Sequence, residues 1–113
     1  MLASCNGLSS FERYTEISRF ETTGALAHME EVLASVVTEH ELRLNRDPDP
    51  RRVGIGQDYI ATILRGRCMI LVEGTGSRAS MRLVVTLNVV AGSECHEKMR
   101  QTYAAAERAL RHR

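Results

Sequence analysis

The sequence has no tryptophan, and only two phenylalanines and three tyrosines among 113 residues. A core of this composition relies on Leu, Val, Ile and Met, and it lacks the rigid aromatic anchors that usually carry tight binding. Stacking of nucleobases on aromatic platforms is poorly supported for the same reason. Lysine is nearly missing: Lys98 is the one lysine, and the other 14 of the 15 basic residues are arginine. Arginine-biased coding in a GC-rich genome accounts for this, and so does selection for guanidinium forks that recognise carboxylate or phosphate; the residues do not separate the two. No sign of charge dominates. With 15 basic and 14 acidic residues the formal net charge is +1, which argues against a polyanion-seeking tail and a strongly acidic, chaperone-like surface. No stretch approaches 18 consecutive apolar residues, so no transmembrane helix is expected. No charged segment followed by an apolar one opens the chain, so no signal peptide is expected either.

What is present reads as one folded domain. Hydrophobic residues make up 43% and charged residues 26%, ordinary values for a globular unit of this length. Residues 1–10 are small and polar and are expected to be disordered or loosely ordered; residues 11–113 form a single α+β domain.

Residues 11–20 fit either periodicity. Phe11, Tyr14, Ile17 and Phe20 recur every three residues, as in a helix, whereas Tyr14-Thr15-Glu16-Ile17 suits a strand; the strand is preferred. Residues 23–38 predict a helix with Leu26, Met29, Leu33, Val36 and Val37 on one stripe, capped by Thr22 or Thr23. Residues 40–46 alternate about Leu42 and Leu44 and predict a half-buried strand. Asp47-Pro48-Asp49-Pro50-Arg51-Arg52 breaks regular structure and predicts an exposed loop running through Gly54 and Gly56. Tyr59 to Val72 is β-prone, with Gly66 marking a bulge or a tight turn. Residues 73–78 read as a hairpin turn. Residues 80–90 give the clearest strand: Met81, Leu83, Val85, Leu87 and Val89 face a core, and Arg82, Thr86 and Asn88 share a partly wet face with Val84 and Val90. The last helix spans about 94–111, capped by Ser93. Glu94–Lys98 and Glu107–Arg111 are i,i+4 pairs, and Cys95, Met99, Tyr103, Ala106 and Leu110 form its buried stripe. The assembled expectation is a two-layer α+β sandwich: an antiparallel sheet of about four strands with two helices on one face. Other small two-layer modules share this order, but no residue motif carries a family resemblance.

Catalytic and metal motifs fail on spacing. His40-Glu41 and His96-Glu97 lack a second histidine four residues on, so the zincin pattern is absent. Cys95 and His96 are adjacent and diverge around a helix, which leaves a zinc site without enough ligands. Gly54-Ile55-Gly56 lacks the third glycine of a dinucleotide loop, and Gly74-Thr75-Gly76-Ser77 lacks the lysine of a P-loop. A phosphate nest at Gly74–Ser77 beside Arg78 remains conceivable but unspecific. Asp47, Asp49 and Asp58 read as turn chemistry rather than a catalytic carboxylate pair. No cofactor is expected, and the balance leans away from an enzyme.

Three readings of function follow. The first is a non-catalytic interaction or assembly module that binds a protein partner or itself, through a wet sheet face or exposed strand edges. The second is a bacterial envelope lipoprotein. Leu2-Ala3-Ser4-Cys5 matches the short motif in front of a lipid-modified cysteine but lacks the hydrophobic segment that should precede it, so it is chance or the mark of a start at an internal Met. Cys5 would then carry lipid and Cys68 could bridge Cys95, provided that a strand and a later helix touch. The third is an RNA-binding domain using Arg65, Arg67, Arg78 and Arg82, if those four share the wet face. The first and third place the protein in the cytoplasm; the second places it in the envelope by a lipid anchor.

Overall fold

The structure is a computed structural model and describes residues 14–47, 57–90, 95 and 97–112. Its elements are β1 (Tyr14–Gly24), α1 (Leu26–Glu39), β2 (Asn45–Arg46), β3 (Tyr59–Arg65), β4 (Cys68–Ser77), β5 (Ser80–Val90) and α2 (Glu97–Arg111). The strands form one antiparallel sheet in the order β1-β5-β4-β3-β2. The α+β architecture matches the expectation, with five strands where about four were predicted.

Alternation along the strands sends one set of side chains toward the helices. Met81, Leu83, Val85 and Leu87 of β5 pack beside Ile70 and Val72 of β4 and Ile63 of β3, all buried. Both helices lie on this face. The predicted stripe of α1 is buried in full, and α2 buries Met99, Tyr103, Ala106 and Leu110 as expected, together with Thr102. Thr102 hides its hydroxyl by donating it to the Lys98 carbonyl at 2.7 Å. Phe20 of β1 meets Tyr103 edge-on, with ring centroids 5.5 Å apart, and Arg111 lies over the Phe20 ring.

The strand reading of residues 14–20 holds, and the strand runs on to Gly24 because β5 pairs it as far as Gly24↔Met81. This corrects the capping expectation. Thr22 and Thr23 are strand residues, and Ala25 stands at the N-cap without a side-chain cap. The first helical amide, that of Leu26, instead donates to the Arg78 carbonyl in the β4–β5 turn at 2.9 Å.

The predicted strand at 40–46 shrinks to Asn45–Arg46. Glu41 has φ +60, its amide donates to the Thr38 carbonyl at 3.0 Å, and the Leu42 amide donates to Val37 at 2.8 Å. Those two bonds are the Schellman ending of a helix, in which an apolar residue just past the left-handed position packs back on the last turn. Leu42 is that residue, and it and Leu44 pack against the core. Their spacing mimics a strand while serving a helix terminus.

Gly66, at φ +59, sits in the two-residue turn between Arg65 and Cys68, so the long β-prone segment is a hairpin. The next turn lies later than expected. Residues 73–77 continue β4, and the reversal falls at Arg78–Ala79 between Ser77 and Ser80. Gly74 is needed within the strand because a Cβ there would lie 2.9 Å from Met81 Sδ and 3.0 Å from Leu83 Cδ2. Gly76, at φ +120, leaves only 2.7 Å between such a Cβ and the Ser80 carbonyl oxygen.

Candidate interaction face

The face of the sheet turned away from both helices carries the main candidate site. Register places Leu64, Met69 and Asn88 in one cross-strand row, Thr62, Leu71 and Thr86 in the next, and Ile60, Glu73 and Val84 in a third. The middle of this face is apolar. Leu64 is 51% exposed, and Met69, Leu71 and Val84 are half-buried. Among the described residues no helix or strand covers it. Thr86 is only 5% exposed, and its hydroxyl is engaged by the Asn88 amide at 3.0 Å.

Charge lies mainly on the β1 side, apart from Glu73, whose carboxylate accepts from the Gln57 amide at 2.6 Å. Arg19 pairs with Glu16 at 3.2 Å, and Arg82 with Glu21 at 3.0 Å. Both pairs are exposed, each worth at most about 1 kcal/mol, and together they form a margin of alternating sign. A bulge between Glu16 and Ser18 interrupts β1 and leaves Ile17 55% exposed. At the far edge, β2 is two residues long. Bulges, charges and short edge strands all discourage edge-to-edge pairing, so the open face, rather than the edges, is the available surface.

The four arginines singled out in the sequence are all exposed but do not form one patch. Arg65 ends β3 and Arg67 lies in the β3–β4 turn. Arg65 is paired across the turn with buried Cys68, which puts it on the helix side. Arg78 lies in the β4–β5 turn, at the opposite end of the ten-residue β4, and Arg82 points from the open face into its pair with Glu21. The nest proposed at Gly74–Ser77 is likewise strand. The Gly76 amide donates to Asp58 Oδ2 at 2.9 Å and the Asp58 amide to the Gly74 carbonyl at 2.7 Å, so Asp58 closes the end of the β3–β4 hairpin. Cys5, Asp49, Pro48, Pro50, Arg51, Arg52, Gly54, Gly56, Ser93, Glu94 and His96 lie outside the described residues. Lys98, expected to pair with Glu94, reaches Glu41 at 2.7 Å, and its ammonium holds that carboxyl below the usual carboxylate range. The Glu107–Arg111 pair forms as expected, at 2.9 Å.

The helix layer offers two further features. An open groove of about 660 Å³ runs between α1 and residues 42–46, lined by Ala27, Ala34, Leu42, Arg43 and Arg46. At its edge Tyr59 donates its hydroxyl to Glu30 Oε2 at 2.7 Å, and Arg46 Nη1 lies 3.4 Å from both Glu30 oxygens. Burial, reinforced by the Glu30 carboxylate, raises the Tyr59 phenol well above its ordinary range. Tyr59 is thus a permanent donor, and the trio fastens the β2–β3 edge to α1. The second feature is a cysteine pair. Cys68 is fully buried at the start of β4, and partly buried Cys95, just before α2, packs against the same core and lies near enough to Cys68 for the two thiols to interact. The strand–helix contact that a Cys68–Cys95 pairing requires is therefore present.

The described residues contain no cluster of three or more His, Cys, Asp or Glu able to hold a metal ion, and no helix among them is long and apolar enough to cross a membrane. No known protein family, curated protein or solved structure matches the chain.

Proposed function

We propose that this protein is a non-catalytic assembly module that associates with a second copy of itself through the open face of its sheet. The observation that carries this reading is the apolar centre of that face, formed by Leu64, Met69, Leu71 and Val84. A contiguous apolar patch rimmed by polar groups is what protein–protein interfaces use. A second copy suits it for two reasons. The net charge of +1 sets up little repulsion between chains. The Glu16–Arg19 and Glu21–Arg82 margin contains both signs, so a two-fold arrangement can bring unlike charges together at the rim. Four strands spaced about 4.8 Å apart and about 30 Å long give a face on the order of 500 Å², suited to an interface at the small end of the specific range.

An RNA-binding role draws no support from the arginine positions, because Arg65 and Arg67 lie at the opposite end of β4 from Arg78. Sedimentation velocity over a concentration series tests the proposal. The intact chain is expected to dimerise and Leu64→Glu to remain monomeric with its monomer stability changed by no more than about 0.5 kcal/mol; a monomer at every concentration would overturn it.

A further inference from the structure

We propose that Cys68 and Cys95 form a thiol–disulfide site, converted to an intramolecular disulfide by low-molecular-weight disulfides of the glutathione type. The fold brings the two sulfurs together by a specific route. Cys68 opens β4 opposite Val89 of β5, and the Val90 amide donates to the Arg67 carbonyl at 3.0 Å, so β5 ends beside the β3–β4 turn. Six residues after Val89 the chain has returned, and Cys95 packs on the core that contains Cys68, near enough for the two thiols to interact. Bond formation then requires the sulfurs to close to about 2.05 Å. Cys95 precedes the first residue of α2, Glu97, so the disulfide forms outside the helix.

The partly exposed sulfur reacts first. The Cys95 thiol gives its proton to solvent, and its thiolate attacks one sulfur of the small disulfide. That S–S bond breaks and one small thiolate leaves. Cys68, deprotonated in turn, attacks the Cys95 sulfur of the mixed disulfide and expels the second small thiolate. Two protein thiols are oxidised, and the small disulfide takes up both electrons. Burial first, then the neighbouring Cys68, pushes the Cys95 thiol up to about 11, with Arg100 acting in the opposite sense. Because burial keeps the Cys95 thiol protonated at neutral pH, the exchange is slow. The pair is therefore a lock that responds to sustained oxidation rather than a rapid redox catalyst. Once closed, it ties the start of α2 to the central strand β4 and reduces the freedom of the unfolded chain between residues 68 and 95.

The test uses the full chain carrying Cys5→Ser, which removes the third thiol, incubated with oxidised glutathione. The expected result is a mass loss of two hydrogens, a single cross-linked peptide joining Cys68 to Cys95, and an unfolding midpoint raised by roughly 10 °C. The rise should reverse on reduction and be missing in Cys95→Ala. A stable glutathione adduct at Cys95 that never closes onto Cys68, cross-links between chains, or thiols that remain unreacted until denaturant is added would each overturn the proposal. The peptide map decides even if a cysteine variant folds poorly.

Discussion

The two faces of the sheet are built from the same strands and share a backbone register, yet they differ in what meets them. The inner face, exemplified by Ile70, Val72, Leu83 and Val85, is fully buried under two amphipathic helices. The outer face places Leu71 and Val84 one residue away on the same strands, where they remain half-buried, with Leu64 half-exposed beside them. A sheet with one solvated face normally alternates apolar and polar residues. Here Cys68-Met69-Ile70-Leu71-Val72 is apolar on both sides. The inner half of that run builds the fold. The outer half is the surface on which the proposed self-association rests.

Substitutions on the two faces should therefore have unlike consequences. Leu83→Ala, at a fully buried position, should lower stability by about 2–5 kcal/mol through lost burial and the cavity left behind, as read from denaturant unfolding. Gly76→Ala should lower it by about 1–3 kcal/mol, because the new Cβ would collide with the Ser80 carbonyl and the positive φ disfavours a side chain; an undiminished midpoint would show that the hairpin shifts to make room. Glu41→Gly should instead stabilise by roughly 1 kcal/mol, by releasing the left-handed conformation at the end of α1. The gain should be clearest in about 1 M salt, where screening removes the loss of the Lys98 pair. Smallest of all, Leu64→Glu should change monomer stability by no more than about 0.5 kcal/mol while abolishing self-association.

A pH series adds a check on the buried layer. Burial raises the Cys95 thiol to about 11 and the Tyr103 phenol to about 12. Both groups are raised above their unfolded values, so their contribution to stability is complete below pH 9 and is lost as pH rises through 11 to 12. The unfolding midpoint should fall across that interval, and Cys95→Ala should remove the lower part of the decline.

Long periodic elements were legible in the sequence. The five apolar residues of the α1 stripe reported their burial, and so did Met81, Leu83, Val85 and Leu87 of β5, whereas Thr86 and Val90, expected on its partly wet face, are buried too. The errors arose where tertiary partners decide. Thr22 and Thr23 resemble caps until β5 claims them as strand, and Leu42 and Leu44 alternate because one secures a helix terminus and both pack on the core. Gly74 and Gly76 look like turn residues but are required by Met81 and Ser80 across the hairpin. The arginine patch depended on four residues sharing a face, which register alone settles. The open face was only half seen. Val84 and Val90 were expected on it, but Val90 is buried; Leu64, Met69 and Leu71 were missed, although the five-residue apolar run beginning at Cys68 was the available signal.

The most direct test of the account is the oligomeric state of the intact chain beside Leu64→Glu, measured by sedimentation velocity under reducing conditions from low to high micromolar concentration. The account predicts that the intact chain moves from monomer to dimer as concentration rises, while the equally stable variant stays monomeric. If both chains sediment as monomers throughout, or both form the same dimer, the open sheet face is not the assembly surface.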